Sequence, residues 1–271
     1  MKNIKYLLLR RVMQFAILLL FISSSYFGYK ILMGNYSSAY ILESFHIADP
    51  YIVLQILFTG FIPASKLLIG ASIVALFYAI IGGRLFCSWV CPFNIITDTA
   101  NYLRRLLKLK PLIKRTNERK LRNIRYYVLV LGLILSIIFG VAAFEIVNPI
   151  SMLHRSILFG AGFSLNIVII VFVADLLIMP NLWCGHICPV GAFYSIIGKY
   201  SLLKVFHTKD NCTLCMKCKH VCPEVQVMGI IGINTGNIKS SECTDCGRCI
   251  DVCDDNALHF VIVNKLKKKK N

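Results

Sequence analysis

Eight of the twelve cysteines lie in two runs, CTLCMKCKHVC at 212–222 and CTDCGRCIDVC at 243–253, both spaced C-x2-C-x2-C-x3-C. Two-residue gaps let one tight loop wrap three corners of a cubane, while the fourth thiolate serves a second cluster, as in bacterial two-cluster ferredoxins. The expectation is two [4Fe-4S] clusters, one on Cys212, Cys215, Cys218 and Cys253, the other on Cys243, Cys246, Cys249 and Cys222. Zinc sites draw instead on paired C-x2-C units. Pro223 follows the first run but Asp254 follows the second, which weakens the local turn and leaves the ligand count intact.

The other four cysteines stand in FCSWVCPFN at 86–94 and WCGHICPVG at 183–191, two copies of C-x-x-x-C-P, each behind a long apolar run. In a helical turn residues i and i+4 share a face, so Cys87 with Cys91, and Cys184 with Cys188, would each present two thiols in one direction. Pro92 and Pro189 mark where the helix is interrupted or restarted. Three readings are open: metal or cluster ligation, thiol redox chemistry, and packing. Four inward thiolates would repel one another without a cation, so a shared third iron–sulfur or metal centre is the expectation carried forward.

These thiols need a frame, and 57% apolar residues with a mean hydropathy of +0.68 exceed the roughly 45–50% apolar content of soluble domains. Four stretches, about 12–33, 63–83, 126–147 and 157–179, are long enough to cross roughly 30 Å of hydrocarbon. Lys and Arg crowd 84–125, whereas 34–62 has none and 148–156 has only Arg155, so both ends and all cysteine motifs fall on the cytoplasmic side. The net charge of +17 follows this topology and does not describe a nucleic-acid-binding surface. A cleaved signal peptide is disfavoured, because no A-x-A-like site follows the first span. The piece PYIVLQILFTGFIP, bounded by prolines and too short to span, is expected in the outer interface. The fold class is an all-α membrane bundle of four helices in two two-span repeats, residues 1–203. A C-terminal α+β two-[4Fe-4S] ferredoxin domain, 204–263, and a basic tail, 264–271, follow.

With two spans and a C-x-x-x-C-P, repeated, then a two-cluster domain, the chain resembles the NapH family. These are membrane ferredoxin-type subunits of periplasmic nitrate reductase systems, within a broader group of membrane polyferredoxins. The flavin-binding domain of the related NosR-type proteins has no room here. The resemblance implies residence in a bacterial inner membrane and oxidation of quinol from the membrane pool. Electrons would pass towards a periplasmic nitrate reductase through a ferredoxin-type subunit and a multihaem cytochrome. Quinol oxidation needs proton acceptors, and ionisable groups at membrane depth are the first candidates. Asp175 in the fourth span and His186 between Cys184 and Cys188 are the expected proton handlers, with Glu145, His154, His46 and Asp49 grouped at the outer side. A redox-sensing or assembly polyferredoxin is the alternative. A transporter is disfavoured because the sequence shows no paired broken helices. Cytoplasmic clusters and a periplasmic acceptor leave roughly 30 Å for electrons to cross.

Overall fold

A computed structural model describes residues 4–27, 32–41, 45–112, 121–159 and 162–263; the basic tail lies outside them. Its internal contacts divide the chain into one unit of residues 1–12, 77–89 and 194–271 and another of 13–76 and 90–193.

The four expected spans appear as apolar helices, but only Lys5–Phe27, with 23 residues, reaches membrane length. Ser65–Ile80 and Ile124–Phe139 have 16 residues each and Phe163–Leu177 has 15, or about 22–24 Å at 1.5 Å per residue. Ile124–Phe139 stops at Gly140, whose φ of 65° is the left-handed cap that a glycine adopts at little cost.

Within the second unit the sequence reading needs one correction. The membrane part is not all-α: Leu32–Gly34 (β1), Ser38–Ile41 (β2) and Phe45–Ala48 (β3) form an antiparallel sheet in the order β1-β2-β3. The piece after it, expected in the outer interface, forms a helix that packs on protein along one side. Pro50–Phe58 is buried at Pro50, Tyr51, Ile52, Val53 and Gln55. Tyr51 Oη donates to Leu129 O at 3.4 Å, while Gln55 Oε1 accepts from Ser136 Oγ and Phe144 N. The short helix therefore runs beside Ile124–Phe139 in the same direction, its N-terminus alongside the first half of that helix. Gly70 lets Ser65–Ile80 pack on β3, since a Cβ there would lie 1.8 Å from His46 O.

A second short helix, Pro149–Phe159, starts the same way. Asp49 Oδ1 caps Tyr51 N at 3.2 Å, and Asn148 Oδ1 caps Ile150 N at 3.1 Å. In both, an Asx side chain takes an orphan N–H and proline fills the first helical position. The repeat thus extends to a pair of short helices, the paired feature that apolar periodicity did not reveal. Phe93–Leu106 completes the unit; Phe93, Thr97, Ala100 and Arg104 form its buried stripe, and Arg104 Nε donates to Leu176 O at 2.8 Å.

The first unit is built on Leu203–His207 (β4), Gly236–Asn237 (β5) and Leu258–Ile262 (β6), antiparallel in the order β5-β4-β6. Its core holds Val205, Val227, Met228, Ile231, Ile238 and Leu258 together with Cys218 and Cys249. Residues 77–89 belong to it: Leu202 N and Leu203 N donate to Ile80 O and Ile81 O at 2.7 and 2.9 Å. Asp251 accepts from Tyr6 N and Leu7 N at 3.2 and 3.0 Å, setting a carboxylate on the first turn of Lys5–Phe27, where the helix dipole favours negative charge.

Candidate iron–sulfur and proton-handling sites

The two cysteine runs have matching backbones. Leu214 and Met216 take φ of 61° and 57°, and Asp245 and Gly247 take 46° and 73° at the equivalent places. Bulky residues such as Leu and Met rarely adopt this conformation, which persists where the surroundings hold it. Short helices, Lys217–Val221 and Arg248–Asp251, follow each loop and carry the third thiol.

Each run frames a cavity. One is lined by Cys212, Cys215, Cys218 and Cys253. The other is lined by Cys222, Cys243, Cys246 and Cys249. Burial pushes the Cys222 thiol up to about 12, with the neighbouring Cys246 adding to it. Cys249 is driven well up by burial, then by Cys246, Cys222 and Cys218. Cys218 is raised by burial and by Cys253, Cys212 and Cys215. Thiols crowded this way stay ionised only with a cationic centre among them, so the quartets fit an iron–sulfur cluster. Among the described residues no three His, Cys, Asp or Glu side chains gather tightly enough to hold a single metal ion.

The cavities differ in cover. In the first run Thr213, Leu214 and Cys215 are exposed, whereas Thr244, Asp245, Cys246 and Gly247 of the second are buried. The cover comes from the first C-x-x-x-C-P motif. Ser88 Oγ donates to Thr244 O at 2.7 Å and Trp89 Nε1 to Asp245 O at 3.0 Å. Arg84 Nη1 donates to Glu224 Oε1 at 2.6 Å and to Glu242 O at 3.0 Å, and burial of Arg84 is outweighed by Glu224, which holds its guanidinium charged. Cys87 lies in this covering turn, Leu85–Trp89.

Neither motif puts both its cysteines on one helical face. Leu85–Trp89 ends before Cys91, and Trp183–Ile187 is a π-turn that ends before Cys188, whose ψ of 113° is extended. A following proline disfavours the helical region for the residue before it, as at Cys188. Cys87 falls in the first unit; Cys91, Cys184 and Cys188 fall in the second. Cys91 and Cys188 are buried, and Gln14 Nε2 donates to Cys91 O at 3.3 Å. Cys184 Sγ stands 4.0 Å from Thr97 Oγ1, and Arg125 Nη1 donates to Gly185 O at 3.3 Å.

Asp175 is fully buried and accepts from Trp183 N at 3.1 Å, fastening the start of the π-turn. His186 is buried with Nδ1 3.3 Å from Asn181 O. The outer group divides. His46 stacks on Tyr40 at 4.1 Å and pairs with Ser38 Oγ at 2.7 Å. Glu145 collects Ser37 Oγ at 2.7 Å, Ser151 Oγ at 2.5 Å and Asn148 Nδ2 at 3.0 Å, and Asp49 N donates to Ser37 O at 2.9 Å. His154 packs edge-on against Phe21 and Tyr36 at 5.1 and 5.6 Å. Sequence reasoning missed Tyr36, Ser37 and the buried arginines Arg10, Arg84 and Arg125. In the sequence the arginines count only as charge; the fold shows all three buried, with Arg84 and Arg125 donating to backbone carbonyls.

The comparisons accord with this geometry. A 4Fe-4S binding domain family matches residues 66–110 and 161–209, over both C-x-x-x-C-P motifs, and a 4Fe-4S dicluster domain family matches 204–254. The ferredoxin-type protein NapH of Escherichia coli K12 is 41% identical over 256 residues, 93% of this chain and 88% of that protein. NapH of Haemophilus influenzae is 41% identical over 261 residues, 94% and 89% of the two chains. The methylamine utilization ferredoxin-type protein MauN of Paracoccus denitrificans is 42% identical over 243 residues, 88% and 84%. No solved structure matches. An iron–sulfur electron-transfer protein whose likeness to both groups runs through nearly its whole length, the chain belongs to the NapH/MauN family of ferredoxin-type proteins.

Proposed function

We propose that the chain is a four-span protein of the bacterial inner membrane that oxidises membrane quinol and passes the electrons, through iron–sulfur clusters, towards a periplasmic nitrate reductase system. The carrying observation is the three-plus-one lining of the two cavities, with Cys253 beside the first run's thiols and Cys222 beside the second's. Each quartet would hold one [4Fe-4S] cluster, which supplies one-electron transfer when bound. The chain's own residues fix the thiols on left-handed turns, and the turn with Ser88 and Trp89 covers one of the two loops. The match of a 4Fe-4S binding domain family over Cys87, Cys91, Cys184 and Cys188 supports a further centre on those thiols. Likeness to the NapH relatives favours the system that the resemblance implied, in which a ferredoxin-type subunit and a multihaem cytochrome would receive the electrons.

The test is purified protein in proteoliposomes, given quinol and followed by EPR, with iron and acid-labile sulfide counted per chain. Quinol-dependent cluster reduction is expected, with Cys215→Ser and Cys246→Ser each removing a different cluster signal. About twelve irons would support three cubanes and about eight would restrict the count to the two runs. Clusters that dithionite reduces and quinol never does would sink the quinol reading.

A further inference from the structure

The pair of short helices begins at Asp49-Pro50 and Asn148-Pro149, and a hydrogen-bonded cluster joins the two starts. Ser37 Oγ lies 2.7 Å from Glu145 Oε1 and 3.0 Å from Ser151 Oγ, and Ser37 O accepts from Asp49 N. Asn148 both caps its helix and donates to Glu145 Oε2. A carboxylate sits between two helix N-termini, where the peptide dipoles favour negative charge.

Beside this cluster stands a polar group with no partner. His154, one helical turn beyond Ser151 on the same face, is 2% exposed, and its Nε2 has no hydrogen-bond partner among the described residues. Tyr36, next to Ser37, packs on the same imidazole, and its Oη is likewise buried and unpartnered. A buried donor or acceptor left unpaired costs free energy, so a nine-tenths-buried histidine in this condition marks a place for a ligand atom. Phe21 closes the aromatic wall, 5.0 Å from Tyr36 and 5.1 Å from His154.

The cluster lies close to the cysteine motifs. Gln14 holds Cys91 O and Phe21 holds the aromatic wall, both from one helix, so the two attachment points are about 10 Å apart along its axis. The charges of Cys91 and Cys188 reach Tyr36 and Tyr51, in each case adding to the upward push that burial gives the phenol.

We propose that Glu145, His154 and Tyr36 form the headgroup site for a para-hydroquinone, with Glu145 the acceptor of a phenolic proton. This rests on the quinol reading above and adds the place. Oxidation of the bound hydroquinone breaks two O–H bonds. One proton goes to the Glu145 carboxylate and one to His154 Nε2, and two electrons leave singly to oxidised iron–sulfur centres, yielding the quinone. Ser37, Ser151 and Asn148 position Glu145 and touch no substrate.

The test uses the full chain in proteoliposomes with short-tailed ubiquinol and menaquinol analogues, beside Glu145→Gln, His154→Ala and the milder Tyr36→Phe. Two readouts are taken: quinol-dependent cluster reduction with dithionite-reduced EPR as control, and cross-linking by a photoreactive quinone analogue mapped by peptide. Glu145→Gln is expected to slow quinol-dependent reduction at least tenfold, with unchanged dithionite spectra and retained cross-linking. His154→Ala is expected to lower cross-linking, which in the native chain should map to 36–37 and 145–154. If the native chain is reduced by neither quinol, the broader function reading fails. If it is reduced and all three variants match it, or the cross-links map elsewhere, this site is wrong while that reading stands. Should Glu145→Gln not fold, Tyr36→Phe and the cross-link map decide alone.

Discussion

Arg84 and Glu224 form an ion pair with 2.6 Å between Nη1 and Oε1 and only 2% of either side chain exposed. It ties the segment entering the first C-x-x-x-C-P motif to the turn after Cys222. Removing one partner from such a pair strands a buried charge and costs about 3–5 kcal/mol. Arg84→Gln is expected to lower the melting temperature in detergent and to broaden the EPR signal of the cluster on Cys222, Cys243, Cys246 and Cys249. The double variant with Glu224→Gln should recover part of the loss, and a double variant worse than the single would contradict the pairing.

Gly83 and Gly198 meet backbone to backbone. A Cβ on Gly83 would lie 2.4 Å from Tyr194 O, and one on Gly198 would lie 2.1 Å from Gly83 Cα. No side chain can yield there, so either glycine-to-alanine change forces the backbone apart. Each is expected to cost at least as much as an overpacked core, about 1–3 kcal/mol. Gly60→Ala is not a matched control, because its φ of 81° strains any side chain; Gly162→Ala, whose Cβ would meet nothing within 4 Å among the described residues, is. Equal melting temperatures for Gly83→Ala and Gly162→Ala would refute the close approach.

Exposure should set the order in which clusters are lost. With Cys215 exposed and Cys246 and Cys249 buried, ferricyanide is expected to bleach the first cluster before the second. EPR of partly oxidised samples separates the two, and Ser88→Ala with Trp89→Phe should narrow the gap by loosening the cover.

Asp49 gives a pH signature. Burial pushes its carboxyl up from the ordinary 3.8 to about 7, against the pull of the Tyr51 N–H and with a further push from Glu145. Between those values the folded chain keeps a proton that the unfolded chain has released, so stability falls as pH rises from about 4 to about 7. Asp49→Asn preserves the cap, as Asn148 does in the other repeat, and should flatten melting temperature against pH in that window. An unchanged profile would show that Asp49 is ionised in the folded chain.

The cysteine runs were legible because cluster ligation imposes spacing on consecutive residues, and spacing is what a sequence displays. Apolar runs likewise located the long helices to within several residues, although the last three came out shorter than expected. What stayed hidden was local geometry set by distant partners. Pro50 read as a breaker, yet it starts a helix, as Pro149 does, and the equivalence of Asp49 and Asn148 shows only when both are seen capping. Hydropathy alone could not show which side of PYIVLQILFTGFIP packs on protein, because it does not tell lipid from protein as the covering surface. Arg84 and Arg125 counted towards topology by charge alone, while their work as hydrogen-bonding forks depends on carbonyls more than 50 residues away.

The crossing over of Cys222 and Cys253 bears on how the chain matures. Neither cavity has four thiols until the strands β4 and β6, at opposite ends of the segment, have paired and brought the second run beside the first. A half-made segment offers three thiols and an open corner, a configuration that exchanges iron readily. Cofactor delivery is therefore coupled between the two cavities: filling one organises the missing corner of the other, and a fault that keeps β4 and β6 from pairing should yield a chain empty at both.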